Sequence, residues 1–216
     1  MYLLSGICRI FVAFAICVCG TGVAFAEVTT VGSVDKVQAQ VDATQAGHKR
    51  AMLVGADVYF KDICHSGPDA RLQATLKDGT QLTLGANATV VVDEFVYSFW
   101  QPGGALSVRV TKGAFLFVGG RVEDKSGAKV DIHTPVGTIG VRGTTVWGGP
   151  IDNGYGVIVL SGQATLTTKT GTVVLGQNQG TMVFGQAKPQ SARGWPANRL
   201  KRAVASISFA SPPAAR

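Results

Sequence analysis

Histidine is scarce in this chain: three in 216 residues, His48, His65 and His133, with no two close enough to share a strand. A metalloenzyme of cupin type brings two imidazoles onto one strand face two residues apart, because strand side chains alternate. That pair is missing, and no metal-ligating set is expected. Also absent are a Gly-x-Ser-x-Gly nucleophile elbow and a Gly-x-x-x-x-Gly-Lys-Ser/Thr phosphate loop. Paired carboxylates occur at Asp93-Glu94 and Glu123-Asp124. Strand neighbours face opposite ways, so neither pair is a ready acid/base couple, and both read as solvated turns. The sequence predicts no catalytic, cofactor-binding or metal-binding residues. The enzyme reading survives only as groups converging from distant strands.

Cysteine and long apolar runs are equally sparse. Residues 1–26 carry one charge, Arg9, then the apolar run Ile10 to Val18 and a small-residue stretch ending Ala24-Phe25-Ala26. This is the pattern of a cleaved export signal with Glu27 as the mature N-terminus. The run is too short to span a bilayer, which takes roughly 20 residues. Val18 before Cys19 argues against a lipid-anchored cysteine. Three of the four cysteines, Cys8, Cys17 and Cys19, fall in this leader, so Cys64 stands alone and no disulfide framework supports the fold. A small buried hydrophobe is the favoured reading of Cys64, an intermolecular bridge or reactive thiol the other. The expected location is the periplasm.

Charge is low and uneven. Over residues 27–186, 13 Lys/Arg balance 13 Asp/Glu, whereas residues 187–216 carry Lys188, Arg193, Arg199, Lys201, Arg202 and Arg216 with no acid. The basic excess thus lies in the tail. It points to contact with anionic lipid or an acidic partner, or to a solvated extension, and not to a nucleic-acid-binding core.

What is abundant is glycine, 28 residues, with recurrent Val and Thr. Residues 37–41 and 70–76 alternate apolar and polar with period 2. Asp78-Gly79 is a hairpin signal, and short β-type runs separated by glycine turns continue to Phe184. The fold class is all-β, a jelly-roll-like sandwich of many short strands with a β-solenoid as alternative. There is weak repetition: residues 79–87 echo 171–178, and residues 110–117 echo 159–166. The predicted organisation is a leader over 1–26, a β domain over 27–186 and a basic linker and tail over 187–216. In the tail Asn198 is expected to cap a short helix through about Ser206, with Leu200, Ala203, Val204 and Ile207 on one face. Residues 211–216 are expected to fray.

The most informative stretch is residues 133–147, His-Thr-Pro-Val-Gly-Thr-Ile-Gly-Val-Arg-Gly-Thr-Thr-Val-Trp. Gly137, Gly140 and Gly143 recur every third residue, but no helix pattern follows to make a phosphate site. They read as sharp turns or close backbone approaches. Arg142, between Val141 and Gly143, reads as a partly buried clamp in need of carboxylate or carbonyl partners.

This run, Thr-Pro-x-Gly-x-x-Gly-Val-Arg-Gly-Thr-x-Val, resembles the signature of the FecR family. Residues 54–58, 69–72 and 78–85 are similar to that family's upstream hairpins, and residues 159–166 and 174–179 to its closing strands. The resemblance implies a jelly-roll-like periplasmic module without catalytic residues. In the family's namesake members a cytoplasmic anti-sigma segment and a membrane helix come first. The leader takes that place here, so the binding module is what carries over. Thr134, Pro135, Gly137, Gly140, Arg142, Gly143 and Thr144 are then structural or partner-binding, and the implied partner is a protein of the cell envelope engaged in sensing or signalling. The alternative is a carbohydrate or cell-wall binding module, with Trp100, Trp147 and Tyr155, joined by Tyr97 and Phe99, stacking on sugars.

Overall fold

A computed structural model describes residues 29–98, 100 and 102–210. The leader, Phe99 and the end of the tail from Ser211 lie outside the described residues. The strands are β1 Thr30–Gln38, β2 Val41–Gln45, β3 His48–Ala51, β4 Asp57–Tyr59, β5 Ile63–Ser66, β6 Arg71–Leu76, β7 Gln81–Leu84 and β8 Thr89–Val96. They continue as β9 Ala105–Lys112, β10 Phe115–Val118, β11 Lys129–Thr134, β12 Gly137–Ile151, β13 Gly154–Thr168, β14 Gly171–Leu175, β15 Gln179–Val183 and β16 Arg193–Gly194. One helix, α1 Ala197–Ile207, follows. The chain is all-β with a short C-terminal helix.

Alternation makes these strands. In β6, Leu72, Ala74 and Leu76 are buried while their neighbours are half-exposed. The Asp78-Gly79 turn then returns the chain as β7, with Gly79 at φ +89°. All the described strands belong to one hydrogen-bonded sheet in the order β3-β2-β5-β8-β9-β11-β12-β10-β7-β6-β1-β4, with β13 against β12 and β14, β15 and β16 beyond it. The inner face buries one large apolar cluster that includes Phe115, Phe117, Ile132, Ile139 and Leu166. Each such side chain contributes roughly 1.5–3 kcal/mol of transfer free energy. Cys64 lies in this core at 7 % exposure, and burial pushes its thiol up to about 12.

The two ends of the path, β3 and β4, are brought together by Arg50. Its Nη1 donates to Asp62 Oδ1 at 2.8 Å and its Nη2 to the Asp57 carbonyl at 3.0 Å and to Asp62 Oδ2. The guanidinium lies 4.5 Å over the Tyr59 ring, and the Tyr59 N–H donates to Asp62 Oδ2 at 2.7 Å. Asp62 is 1 % exposed, so the charge is held by its partners rather than by water.

The tail is not a linker. The Gln190 N–H donates to the Met182 carbonyl at 3.0 Å, the Thr181 hydroxyl donates to the Gln190 carbonyl at 2.6 Å, and β16 pairs with β15. Trp195 packs edge-on against Trp147, ring centres 5.8 Å apart. Helix α1 lays Leu200, Ala203 and Ile207 on a second apolar cluster built around Trp147, Ile158 and Ala114. Val204, expected on that face, is 42 % exposed, because it falls at the margin of the buried stripe. Asn198 is not the cap: Pro196 holds that position, and Asn198 lies within the first turn. Arg199 and Arg202 both pair with Asp152, so part of the tail's charge is already neutralised.

Candidate functional site

The motif residues occupy the β11–β12 turn and the first half of β12. Thr134 fastens the turn: its Oγ1 donates to the Gly137 carbonyl at 2.7 Å and accepts the Gly137 and Val136 N–H groups at 3.2 and 3.4 Å. Pro135 supplies the fixed φ that the turn's first corner uses. A side chain on Gly137 would place its Cβ 2.3 Å from the Thr167 carbonyl oxygen, so β13 approaches too closely for any residue but glycine.

The long ribbon β12–β13 breaks register beyond the Arg142↔Gln163 pair. Gly143 and Thr144 together oppose Gly162, a two-against-one bulge. Gly143 sits at φ +60° and Gly162 at φ +80°, and a Cβ on Gly162 would fall 2.0 Å from the Gly143 carbonyl oxygen. Thr144 fills the bulge from inside: its Oγ1 accepts the Arg142 N–H at 2.9 Å and donates to the Gln163 carbonyl at 2.8 Å.

Glu123 closes the other side. β10 pairs with the second half of β12 and β11 with the first, and the connection between them, residues 119–128, enters the gap. Glu123 Oε2 accepts the Thr144 N–H at 2.9 Å, and its carboxylate also draws on the Gly143 N–H. Burial raises the Glu123 pKa, these two N–H groups pull it back, and Asp124 and Asp78 push it up again. Buried Asp78 anchors the same connection, accepting from the Thr80 hydroxyl at 2.7 Å and the Val122 N–H at 3.4 Å. The glycine-rich loop does bind an anion, and the anion is the chain's own. Glu123 is therefore no solvated turn residue, and the part that it and Asp78 play in holding this connection was not identified from sequence. The only clue was an acid three to four residues after Gly119-Gly120.

Arg142 overturns the expectation of a buried clamp. It is exposed, on the outer side of the sheet, with no side-chain partner among the described residues. Its apolar neighbours Val141 and Gly143 say nothing about facing, because alternation and the bulge decide that. Gly140 lies on the same outer face. No left-handed φ holds it, and the nearest atom to a built Cβ is Asp131 Oδ1 at 3.7 Å. Across this face runs the register Arg109↔His133↔Thr138↔Thr167↔Thr172. His133 Nδ1 meets Thr138 Oγ1 at 3.0 Å, and the Thr172 hydroxyl donates to Thr167 Oγ1 at 3.4 Å. Arg109 is held by Asp93 at 2.6 Å. Where this face meets the β11–β12 turn it opens into a groove of about 500 Å³, lined among others by Arg109, His133, Pro135, Lys169 and Gln186.

The aromatic trio is not brought together. Trp147 is 1 % exposed and donates its Nε1–H to Ser206 at 3.1 Å beneath α1, and Tyr155 is 8 % exposed in the main core. Neither can stack on a sugar. Trp100 is on the surface at 88 % exposure, and Tyr97 is half-buried against Phe95.

Residues 62–165 match the family model described as FecR protein. The chain carries a FecR domain. The matched segment begins at the Arg50 partner Asp62 and takes in the turn, the bulge, the Glu123 connection and most of the outer face. The FecR fold is similar to two crystal structures, at 1.65 and 2.50 Å, described as a candidate anti-sigma factor from Parabacteroides distasonis. Each is 17 % identical with a TM-score of 0.48 over 63 % of this chain, which spans 61 % of the length of those chains. No curated protein matches.

Proposed function

We propose that this chain is an exported, periplasmic FecR-type binding module that contacts a protein partner of the cell envelope in sensing or signalling, and that it does so through the outward face of its motif. The observation that carries the reading is the division within the motif. Thr134, Gly137, Gly143 and Thr144 are used up by turn and bulge, whereas Gly140 and Arg142 face outward with no structural demand on either. An exposed guanidinium beside a bare stretch of backbone suits docking of a complementary protein surface. Catalysis has no comparable support: the half-buried Glu123 is engaged as a cap, and the hydroxyl beside the half-buried His133 is that of Thr138, its cross-strand neighbour in the β11–β12 ladder.

The carbohydrate reading loses Trp147 and Tyr155 to the core. Export rests on the leader, and N-terminal sequencing of the periplasmic protein should begin at Glu27. The binding reading is tested by affinity capture at native expression from a periplasmic extract, wild type against Arg142→Glu. A discrete protein retained by wild type and reduced about tenfold by the charge reversal supports it. Equal retention by both forms, or none above background by either, refutes it.

A further inference from the structure

Among the described residues the sheet has four strands with an open side, and three are protected. β3 carries His48, Lys49 and Arg50, β4 is three residues long and tied to Arg50, and β16 has two residues. Charge and shortness are the usual guards of an edge. β14 has neither. It is Gly-Thr-Val-Val-Leu, uncharged, with Val174 52 % exposed, and it pairs only with β13 among the described residues.

β14 and β15 lie end to end along the same side of β13, β15 against residues 155–158 and β14 against residues 164–168. On the β15 half, an extended piece of the chain's own tail has already been added, through Gln190 on Met182 and β16 on β15. The β14 half offers the continuation of that edge. Every second residue of an antiparallel strand turns its N–H and C=O away from its partner, so the outer side of β14 presents backbone donors and acceptors in strand spacing.

Charge marks one end. Lys169 stands in the turn before Gly171, and Lys188 runs beside Gly171, its Cγ 3.3 Å from where a Cβ would be. Neither lysine forms an ion pair among the described residues, and the chain has no acid after Asp152. We infer that the outer edge of β14 takes up an extended segment of the partner protein as an added strand, with an acidic residue of that segment set against Lys169 and Lys188. The inference rests on the protein-binding reading and names its mode: backbone pairing for affinity, the lysine pair for direction.

The test places photoreactive benzoylphenylalanine at Thr172 in the full chain, in cells at native expression, and at Arg142 as a separate position. The expected result is a Thr172 adduct that maps to an extended, Asp- or Glu-bearing segment of another protein. Its yield should fall about tenfold in Val174→Pro and in the Lys169→Glu/Lys188→Glu double variant. The double variant changes only exposed side chains, so it reads the site even where Val174→Pro lowers Tm. A Thr172 adduct with a second copy of this chain, or with a helical segment, or one that persists in the double variant, overturns the inference. If Arg142 traps a protein and Thr172 traps none, the edge is wrong and the binding reading stands; if neither position traps anything, both fall.

Discussion

Replacing Gly162 with alanine should damage this fold far more than the same change at Gly143, and Gly140→Ala should be nearly silent. At Gly162 two effects add. A left-handed φ of +80° costs an L-residue about 1–2 kcal/mol. The new Cβ also lies 2.0 Å from the Gly143 carbonyl oxygen, where ordinary contact begins at 3.4 Å. The atom to be displaced is backbone, pinned by Thr144 on one side and Glu123 on the other, so an overpacking penalty of about 1–3 kcal/mol applies. The sum is about 2–5 kcal/mol, and at about 2–4 °C per kcal/mol for a chain of this size Tm should fall by about 4–20 °C. Gly143 has the same kind of φ, +60°, but open space, so only the first effect applies and Tm should fall by about 2–8 °C. Gly140 has neither demand, and its alanine variant should melt within about 2 °C of wild type. Thermal melts of the mature chain by circular dichroism decide the ranking. A Gly140→Ala loss equal to that of Gly162→Ala, or a Gly162→Ala melt indistinguishable from wild type, would refute the account of the bulge.

Arg50→Ala strands the buried Asp62 carboxylate and should cost about 3–5 kcal/mol in urea unfolding; a loss under about 1 kcal/mol would reduce the edge clamp to an ordinary surface pair. Because burial, Asp124 and Asp78 outweigh its N–H partners, Glu123 binds its proton more tightly in the folded chain than in the unfolded one. Its contribution to stability therefore declines as pH rises from the ordinary 4.5 through the raised value. The Tm of Glu123→Gln relative to wild type should accordingly climb as pH rises above the ordinary 4.5, and a pH-independent difference would contradict this. Truncation after Gln186 uncovers Trp147 and should lower stability by at least about 2 kcal/mol, with a red shift in tryptophan emission; an unaltered melt would mean that the tail is not part of the fold. Native Cys64, its thiol pushed up to about 12, should stay unmodified by a thiol reagent until urea unfolds the chain.

Much of the fold could be read from side-chain alternation, which is a local property. The Asp78-Gly79 hairpin and the strands around it follow from it, and both weak repeats have a structural counterpart. Asn87 and Asn178 each take up a left-handed φ, 52° and 61°, just after β7 and β14. Gly113 and Gly162, in corresponding places of the second repeat, both sit at φ +80°. What sequence could not supply was set by contacts far apart in the chain. β10 follows β9 across a short turn yet pairs with β7 and β12, and a Gly113 Cβ would be 2.4 Å from Ala88, so only glycine fits that turn. Trp147 is buried only because Trp195 and α1 return to cover it, so no reading of its own neighbourhood separates a core residue from a stacking platform.

The position of Arg142 shows how structural and exposed roles share one short motif. Two residues apart on a regular strand share a face, so Arg142 and Thr144 should both be inside or both outside. Yet Arg142 is exposed and Thr144 is 3 % exposed. The left-handed φ at Gly143 resets the alternation, turning the following half of β12 inward toward β10 while the preceding half keeps its polar side out. The reset is held by Thr144, whose hydroxyl satisfies the Arg142 N–H and the Gln163 carbonyl, and by Glu123, whose Oε2 accepts the Thr144 N–H. The half-buried glutamate thus fixes where the exposed arginine stands, and the outward face of the FecR domain depends on a loop that never reaches it.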